Sequence, residues 1–166
     1  FDCHDPFWVP DGTRIFYISR AREKEGIWSV GAAGGTPELV MEDATNAAIS
    51  PDGKTLAFFR EEGAERGGGW KSFWLSSPPG AEPRKYARLP PDVRFSDAAV
   101  HFSPDGSKIG IWGAIANTET EGPRAFWIIP VPDGDPYIAL SNLPPTWPSF
   151  SWLPDNRHIV MTILQP

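Results

Sequence analysis

The chain of 166 residues has few of the features that mark disulfide-rich, membrane-spanning or nucleic-acid-binding proteins. Its single cysteine, Cys3, cannot form an internal disulfide and does not distinguish a reducing from an oxidising compartment. No apolar run approaches the roughly 18 residues that span a bilayer, and no charged start followed by an apolar segment marks a signal peptide. The formal net charge of -6 disfavours nucleic acid and anionic membranes as partners. We therefore expect no nucleic-acid binding and no membrane insertion.

Long helices are also disfavoured, because 16 glycines and 19 prolines interrupt the chain. The sequence is nevertheless 40% hydrophobic, with 8 Trp, 10 Phe and 3 Tyr, so it has the material for a core. Large aromatic side chains are favoured in pleated sheets that stack face on face. The composition therefore favours an all-β globular protein. Because the chain starts at Phe1 without an initiator Met, we expect a piece of a longer polypeptide.

A Pro-Asp-Gly triplet recurs at intervals of 41, 53 and 50 residues, with Asn replacing Gly in the last copy: it begins at Pro10, Pro51, Pro104 and Pro154. These intervals are the size of four-stranded propeller blades. Proline presets the turn, aspartate accepts bonds from nearby amides, and the third position favours positive φ, which Asn156 tolerates. The third and fifth residues after each triplet are apolar: Ile15 and Tyr17, Leu56 and Phe58, Ile109 and Ile111, Ile159 and Met161. This alternation predicts a strand on each side of the turn.

A second landmark is an apolar run centred on Trp28, Trp74 or Trp127, each followed nine residues later by a proline. Glycine-containing turns lie between the tryptophan and the proline. The pattern predicts a third strand, a turn, and a fourth strand near 38–41, 84–89 and 137–140. The three tryptophans occupy equivalent repeat positions and are predicted to pack between blades.

The repeat unit is therefore strand, Pro-Asp-Gly turn, strand, variable loop, Trp strand, Gly turn, strand. A single β-propeller segment over 1–166 is predicted, with blades at about 5–43, 46–90 and 97–141 and a half blade at 147–164. The longest loops all follow the second strand, which places them on one rim. Three and a half blades would leave apolar faces and strand edges exposed. We expect missing blades to complete a larger propeller, with self-association or an atypical curled arc as the alternatives.

Four segments carry a recognisable family pattern: Ile49-Ser50-Pro51-Asp52-Gly53, Phe102-Ser103-Pro104-Asp105-Gly106, Ile27-Trp28-Ser29-Val30 and Gly34-Gly35-Thr36-Pro37. They resemble the TolB-type β-propeller repeat, a Pro-Asp relative of WD repeats. Similar repeats form the periplasmic propeller of TolB, extracytoplasmic parts of bacterial Ser/Thr kinases and the gating domains of prolyl-oligopeptidase-like hydrolases. The resemblance implies a recognition or scaffolding role in a bacterial protein and favours a periplasmic or extracytoplasmic location. Its motifs are structural, so they bring no catalytic residue.

Two clusters imitate catalytic or metal sites. His101, Ser103 and Asp105 alternate along one predicted strand, but the serine and aspartate occupy turn positions that recur where no histidine is present. Cys3 and His4 are adjacent to each other and to an aspartate at a chain end, unlike the spaced ligands of closed zinc sites. We therefore assign no catalytic residue, no metal and no cofactor.

Three further segments are better explained as structure. The acidic pair in Asp133-Gly134-Asp135 lacks the additional ligands of a calcium loop, and the glycine-rich segment before Lys71 lacks the helix of a phosphate loop. The basic groups near Arg22 and Lys85 are interrupted or bordered by glutamates, as solvated strand edges are.

Trp70, which is expected in a glycine-rich loop, and Trp147, which lies between prolines, have no equivalents in the other repeats. They are the candidate ligand- or partner-binding residues. The leading hypothesis is a non-catalytic propeller that binds a protein or peptide partner. The alternative is the regulatory or gating propeller of a larger enzyme, either a sensor kinase or a serine peptidase. Intrinsic hydrolase activity would need a strongly perturbed titratable cluster, which the sequence does not show. In isolation, an unclosed arc is expected to self-associate.

Overall fold

The computed structural model describes residues 3–20, 24–62, 70–90, 93, 95, 98–114, 124–143 and 149–162. Within these ranges the regular structure consists of strands. They are β1 (Cys3–Trp8), β2 (Arg14–Ser19), β3 (Gly26–Gly31), β4 (Glu38–Glu42), β5 (Thr45–Ile49), β6 (Leu56–Glu62), β7 (Trp70–Ser76), β8 (Arg84–Lys85), β9 (Ala98–Phe102), β10 (Lys108–Ala114), β11 (Arg124–Pro130), β12 (Tyr137–Leu143), β13 (Ser149–Trp152) and β14 (Ile159–Thr162).

Within each sheet, strands that follow one another in the sequence pair antiparallel. Sheet 1 contains β1 to β4, sheet 2 contains β5 to β8, and sheet 3 contains β9 to β12, each in chain order. The fourth hairpin is formed by β13 and β14. The all-β class and the repeating four-stranded unit are confirmed. No helix in the described ranges is long and apolar enough to cross a lipid bilayer.

The Pro-Asp-Gly triplets form the turns that the sequence predicts. The amide of Gly53 donates to the carbonyl of Ser50 at 2.8 Å, and the equivalent bond is repeated in the other turns. The last residue of each triplet has positive φ, including 73° at Gly106 and 58° at Asn156. Asparagine tolerates this conformation better than other side chains, so its replacement of glycine in the fourth turn is confirmed as a turn residue.

The sheets stack face to face in the order of the sequence. We call the side that carries the third and fifth residues after each turn the front face, and the opposite side the back face. Phe16 and Ile18 on the back of sheet 1 share a buried cluster with Leu56 and Phe58 on the front of sheet 2. Because side chains alternate along a strand, the two faces of one sheet can contact two different neighbouring sheets.

The same front-on-back contact occurs twice more. Phe59 on the back of sheet 2 clusters with Ile109 on the front of sheet 3. Trp112 on the back of sheet 3 clusters with Ile159 of the fourth hairpin. A Cβ on Gly110 would lie 2.7 Å from the Phe126 ring, so the last of these interfaces requires glycine at that position.

Two details differ from the sequence expectation. Strand β8 contains two residues instead of the predicted 84–89, because Tyr86 is buried toward sheet 3 and the chain then turns. Trp74 and Trp127 pack in the inter-sheet clusters as predicted. Trp28 is only half-buried, since no described element covers the front of sheet 1.

Candidate functional site

Strand direction separates the two ends of the molecule. The Pro-Asp-Gly turns and the Gly turns lie at one end, and strands β2, β6 and β10 end at the other, where β4 also leads into β5. We call this second end the loop rim. A cleft of about 730 Å³ opens there between sheets 1 and 2. Its charged lining consists of Arg20, Glu25, Glu42, Asp43, Arg60 and Glu61.

The link between the two sheets positions the acidic wall of the cleft. Asp43 has a φ of 54°, which turns the chain between β4 and β5. Its amide donates to the carbonyl of Glu25 at 3.0 Å, which ties the link to the start of β3. Three exposed carboxylates, those of Glu25, Asp43 and Glu61, therefore surround the opening.

Arg60 is held in place on the sheet 2 side of the cleft. Its Nη2 donates to the carbonyl of Glu42 at 3.2 Å and contacts the sulfur of Met41 at 3.3 Å. The guanidinium carbon lies 5.2 Å from the ring centroid of Trp74 and 5.5 Å from that of Phe58, within range for cation–π attraction. The side chain therefore joins the loop rim to the cluster between sheets 1 and 2.

Among the described residues that line the cleft, four carboxylates outnumber two guanidiniums. Lys24 neutralises one acid, since its Nζ lies 2.9 Å from a Glu42 oxygen. That hydrogen bond with Glu42 raises the pKa of Lys24. The remaining exposed carboxylates favour cationic groups in the opening, although exposed pairs of this kind contribute little each.

The two candidate tryptophans have different outcomes. Trp70 is the first residue of β7 and pairs with Glu62, so it lies in a strand at the loop rim and not in a loop as expected. Trp147 lies outside the described residues. Ligand binding by either residue stays a prediction.

The apparent triad is used for turn structure. The Ser103 hydroxyl donates to Asp105 at 2.6 Å and accepts the amide of Lys108 at 3.0 Å. Ser50 makes the same bond with Asp52 in the preceding repeat, also at 2.6 Å. The His101 ring instead packs edge-on against Phe150, and desolvation there lowers the pKa of the histidine even though part of the residue remains exposed.

The residues of the apparent metal site near Cys3 and of the apparent phosphate loop near Lys71 also form local hydrogen bonds. The Cys3 sulfur donates to the Ser19 hydroxyl at 3.7 Å, and Nδ1 of His4 lies 3.0 Å from a carboxylate oxygen of Asp5. Lys71 donates to the Asn46 side chain at 3.0 Å. In the described part of the chain, no three histidine, cysteine, aspartate or glutamate side chains converge as a metal site would require.

No family model matches the chain. Among curated proteins it is 30% identical over 125 residues to the uncharacterized peptidase YuxL of Bacillus subtilis, a match covering 70% of this chain and 18% of that protein. The structure superposes on TolB from Acinetobacter baumannii with a TM-score of 0.62 at 18% identity, covering 82% of this chain and 31% of that one. The chain has a TolB-like β-propeller fold.

This propeller segment also superposes on the acylaminoacyl peptidase of Pyrococcus horikoshii, with a TM-score of 0.66 at 17% identity. That match covers 99% of this chain and 28% of the peptidase. The segment thus spans less than a third of each of these three proteins. The predicted TolB-type resemblance is confirmed at the level of fold, and the chain is a propeller module.

Sequence reasoning missed the cleft, because its walls come from segments far apart in the chain. Arg60 and Glu42 are brought together only when sheet 2 packs on sheet 1. The available signal was the prediction that the longest loops lie on one rim, which indicated the correct end of the molecule.

Proposed function

We propose that this propeller segment is a non-catalytic recognition module that binds an extended peptide or protein segment carrying basic side chains. The binding site is the loop-rim cleft between sheets 1 and 2. The observation that carries the proposal is the arrangement of Glu25, Asp43 and Glu61 around an opening large enough for several side chains. Clefts with an excess of one sign of charge raise the local concentration of ligands of the opposite sign.

The fixed position of Arg60 supports the same proposal. Its guanidinium is held by the Glu42 carbonyl and by two aromatic rings, so it cannot swing out to neutralise the exposed carboxylates. A cationic ligand would pair with those carboxylates at the opening, while Arg60 limits how deeply a second cation could enter. The cleft would therefore select segments with separated basic residues.

A second candidate function is supported by the comparisons: the module would gate or orient substrates for a peptidase domain in a larger protein. The similarity to a bacterial peptidase over 70% of this chain favours it over a sensor-kinase propeller. The two proposals are compatible, because a peptide-binding rim beside a peptidase would select its substrates. The full open reading frame decides whether a hydrolase domain is attached.

The first proposal is tested with fluorescein-labelled decapeptides, one carrying three spaced lysines and a matched one with glutamine at those positions. The lysine peptide should bind at least tenfold more tightly in low salt, and the difference should shrink as salt screens the charges. The double variant Glu25→Gln/Glu61→Gln should weaken its binding about three- to tenfold.

The matched control is Glu38→Gln, a glutamate at the opposite end of β4 that pairs with Arg14 at 2.6 Å. This variant should bind the lysine peptide like the parent chain. Equal binding of the two peptides, or an equal loss in the control, would contradict recognition in the cleft.

A further inference from the structure

Arg60 interrupts the apolar front row of strand β6. It is the seventh residue after the Pro-Asp-Gly triplet, and it follows Leu56 and Phe58, which are both 0% exposed. The equivalent residues of sheets 1 and 3 are Ser19 and Gly113, so the repeat itself does not require a cation at this position. A charge between packed sheets costs desolvation energy unless a partner compensates it. The arginine therefore points to a role other than packing.

The guanidinium of Arg60 is only partly satisfied by the protein. Within the described ranges, hydrogen bonds are accepted only from its Nη2, by the Glu42 carbonyl at 3.2 Å and the Met41 sulfur at 3.3 Å. Nε is enclosed without a partner, whereas Nη1, which also lacks a described acceptor, is not enclosed. This half-buried side chain thus has a donor that an incoming group can use.

No carboxylate in the described part of the chain forms an ion pair with Arg60. Four carboxylates line the cleft, but the one closest in the sequence to the Met41 contact, Glu42, pairs with Lys24 instead. The rings of Trp74 and Phe58 hold the guanidinium in place without neutralising its charge. The cleft therefore contains a fixed positive charge that is less exposed than the carboxylates around the opening.

We propose that Arg60 pairs with a carboxylate of the bound peptide, an inference that rests on the proposed function of the cleft as a peptide-binding site. Guanidiniums donate charge-assisted hydrogen bonds to carboxylates, and these bonds are stronger than neutral ones. The carboxylate comes from the end of the peptide chain or from an acidic side chain, since both present the same group. The preferred ligand therefore carries basic groups for the opening and an acidic group for Arg60.

Arg20 is the rival for this contact, because it is the other described guanidinium in the lining of the cleft. Its side chain is exposed, so water already solvates its charge and an ion pair there contributes little. Arg60 is half-buried beside two aromatic rings, where its charge is screened less. The carboxylate contact is therefore expected at Arg60.

The test uses decapeptides that carry fluorescein at the amino terminus and three spaced lysines, and that differ only at the last residue. One ends in glutamine amide, one in glutamine with a free carboxylate, and one in glutamate amide. At least one of the two carboxylate peptides should bind about three- to tenfold more tightly than the glutamine amide. A gain for the second peptide assigns the contact to a chain end, and a gain for the third assigns it to an acidic side chain.

Arginine variants show which residue produces the gain. Arg60→Gln should abolish the difference between the carboxylate and amide peptides, whereas Arg20→Gln should retain it. The matched control is Arg14→Gln at the opposite end of the sheets, where Arg14 pairs with Glu38 at 2.6 Å, and it should also retain the difference. Urea unfolding identifies conditions in which each variant is folded, and binding is measured there.

A second measurement uses the parent chain and does not depend on the fold of a variant. The Nε proton of Arg60 is shielded from solvent, so its N–H resonance should be visible by NMR. Its absence from the spectrum of Arg60→Lys identifies the signal. The resonance should shift on addition of the carboxylate peptide that binds more tightly and not on addition of the glutamine amide.

Two results would overturn the proposal: equal affinities of the parent chain for all three peptides, or a carboxylate gain that persists in Arg60→Gln. The lysine preference is measured separately, with the lysine and glutamine decapeptides described above. A lysine preference without a carboxylate gain rejects this inference alone. A carboxylate gain that depends on Arg60, without a lysine preference, rejects the recognition of basic side chains and supports the Arg60 contact.

Discussion

At the scale of residues, the four hairpin turns hold their aspartates by different means. In the second and third turns a serine before the proline donates to the aspartate, as Ser103 does to Asp105. The first turn has Val9 at that position, and the Thr13 hydroxyl donates to Asp11 instead. In the fourth turn His158 contacts Asp155. All four turns thus contain the aspartate, and the residue whose side chain hydrogen-bonds to its carboxylate differs between turns.

Asp105 provides a test of this bonding by pH. Bonds from the Ser103 hydroxyl, the Ser107 amide and the Ser107 hydroxyl lower its pKa from 3.8 to about 2. Because the folded pKa lies below the unfolded value, its stabilising contribution is present above about pH 4 and is lost as the pH falls toward 2. The urea midpoint of Asp105→Asn should therefore fall less steeply between pH 5 and pH 2 than that of the parent chain. A parallel profile for Asp105→Asn would show that the turn aspartate does not contribute to the acid sensitivity of the fold.

At the scale of elements, a polar clasp joins the outer strand of sheet 2 to the Gly turn of sheet 3. The Tyr86 hydroxyl lies 2.5 Å from the Gly134 carbonyl and accepts the Gly134 amide at 3.2 Å. Arg84 pairs with Asp133 at 2.8 Å and Arg88 with Asp135 at 2.9 Å. The basic residues that follow β7 and the acidic pair in the Gly turn of sheet 3 are therefore ion-pair partners. These contacts, which we call the clasp, explain why β8 ends at its second residue.

Removing the buried hydroxyl tests the clasp. Tyr86 is 4% exposed, so Tyr86→Phe should leave the Gly134 carbonyl and amide without this partner and lower the free energy of unfolding by about 1–3 kcal/mol. The matched control is Tyr137→Phe, since Tyr137 is 51% exposed and should change stability by less than about 0.5 kcal/mol. Equal effects in urea unfolding would mean that the hydroxyl contributes nothing specific. The exposed ion pairs should contribute less than the hydroxyl.

At the scale of the whole molecule, the stack is quasi-one-dimensional, since each of the three clusters of described residues joins two sheets that are neighbours in the sequence. Stability in such an array is approximately a sum of unit and interface terms. Sheets 2 and 3 are covered on both faces, whereas in the described structure sheet 1 and the fourth hairpin are each covered on one. The ends should therefore open before the middle.

Hydrogen exchange measures this gradient. Amides of the central strands β6, β7, β10 and β11 should exchange most slowly, and those of β13 and β14 fastest, because the described hairpin has two strands and one covered face. Equal protection across the sheets would show that the segment unfolds as one cooperative unit instead.

Much of the fold could be predicted because it depends on short-range sequence patterns. The turn triplets set the hairpins, and alternation after each triplet marks residues such as Leu56 and Ile109 as core. The side chains of the back faces could not be predicted in the same way. Their equivalent positions hold residues of very different size: Phe16, Ala57 and Gly110. The size of a back-face residue depends on the shape of the next sheet, and no periodic pattern in the sequence reveals that shape.

The candidate site was much less predictable. Its charged residues belong to two sheets and the link between them, and their proximity follows from packing and not from spacing. The two tryptophans were selected for lacking equivalents in the other repeats, a criterion that contains no geometry. Trp70 is instead a strand residue, and the cleft forms only where sheets 1 and 2 pack together.

The sequence by itself determined the all-β class, the repeat unit and the turns, because backbone preferences and alternation act over a few neighbouring residues. Only the tertiary structure decided which faces are buried, which charges meet and where a cleft opens. Those properties depend on contacts between residues that are distant in the chain, such as Tyr86 with Gly134, and a local pattern does not contain them.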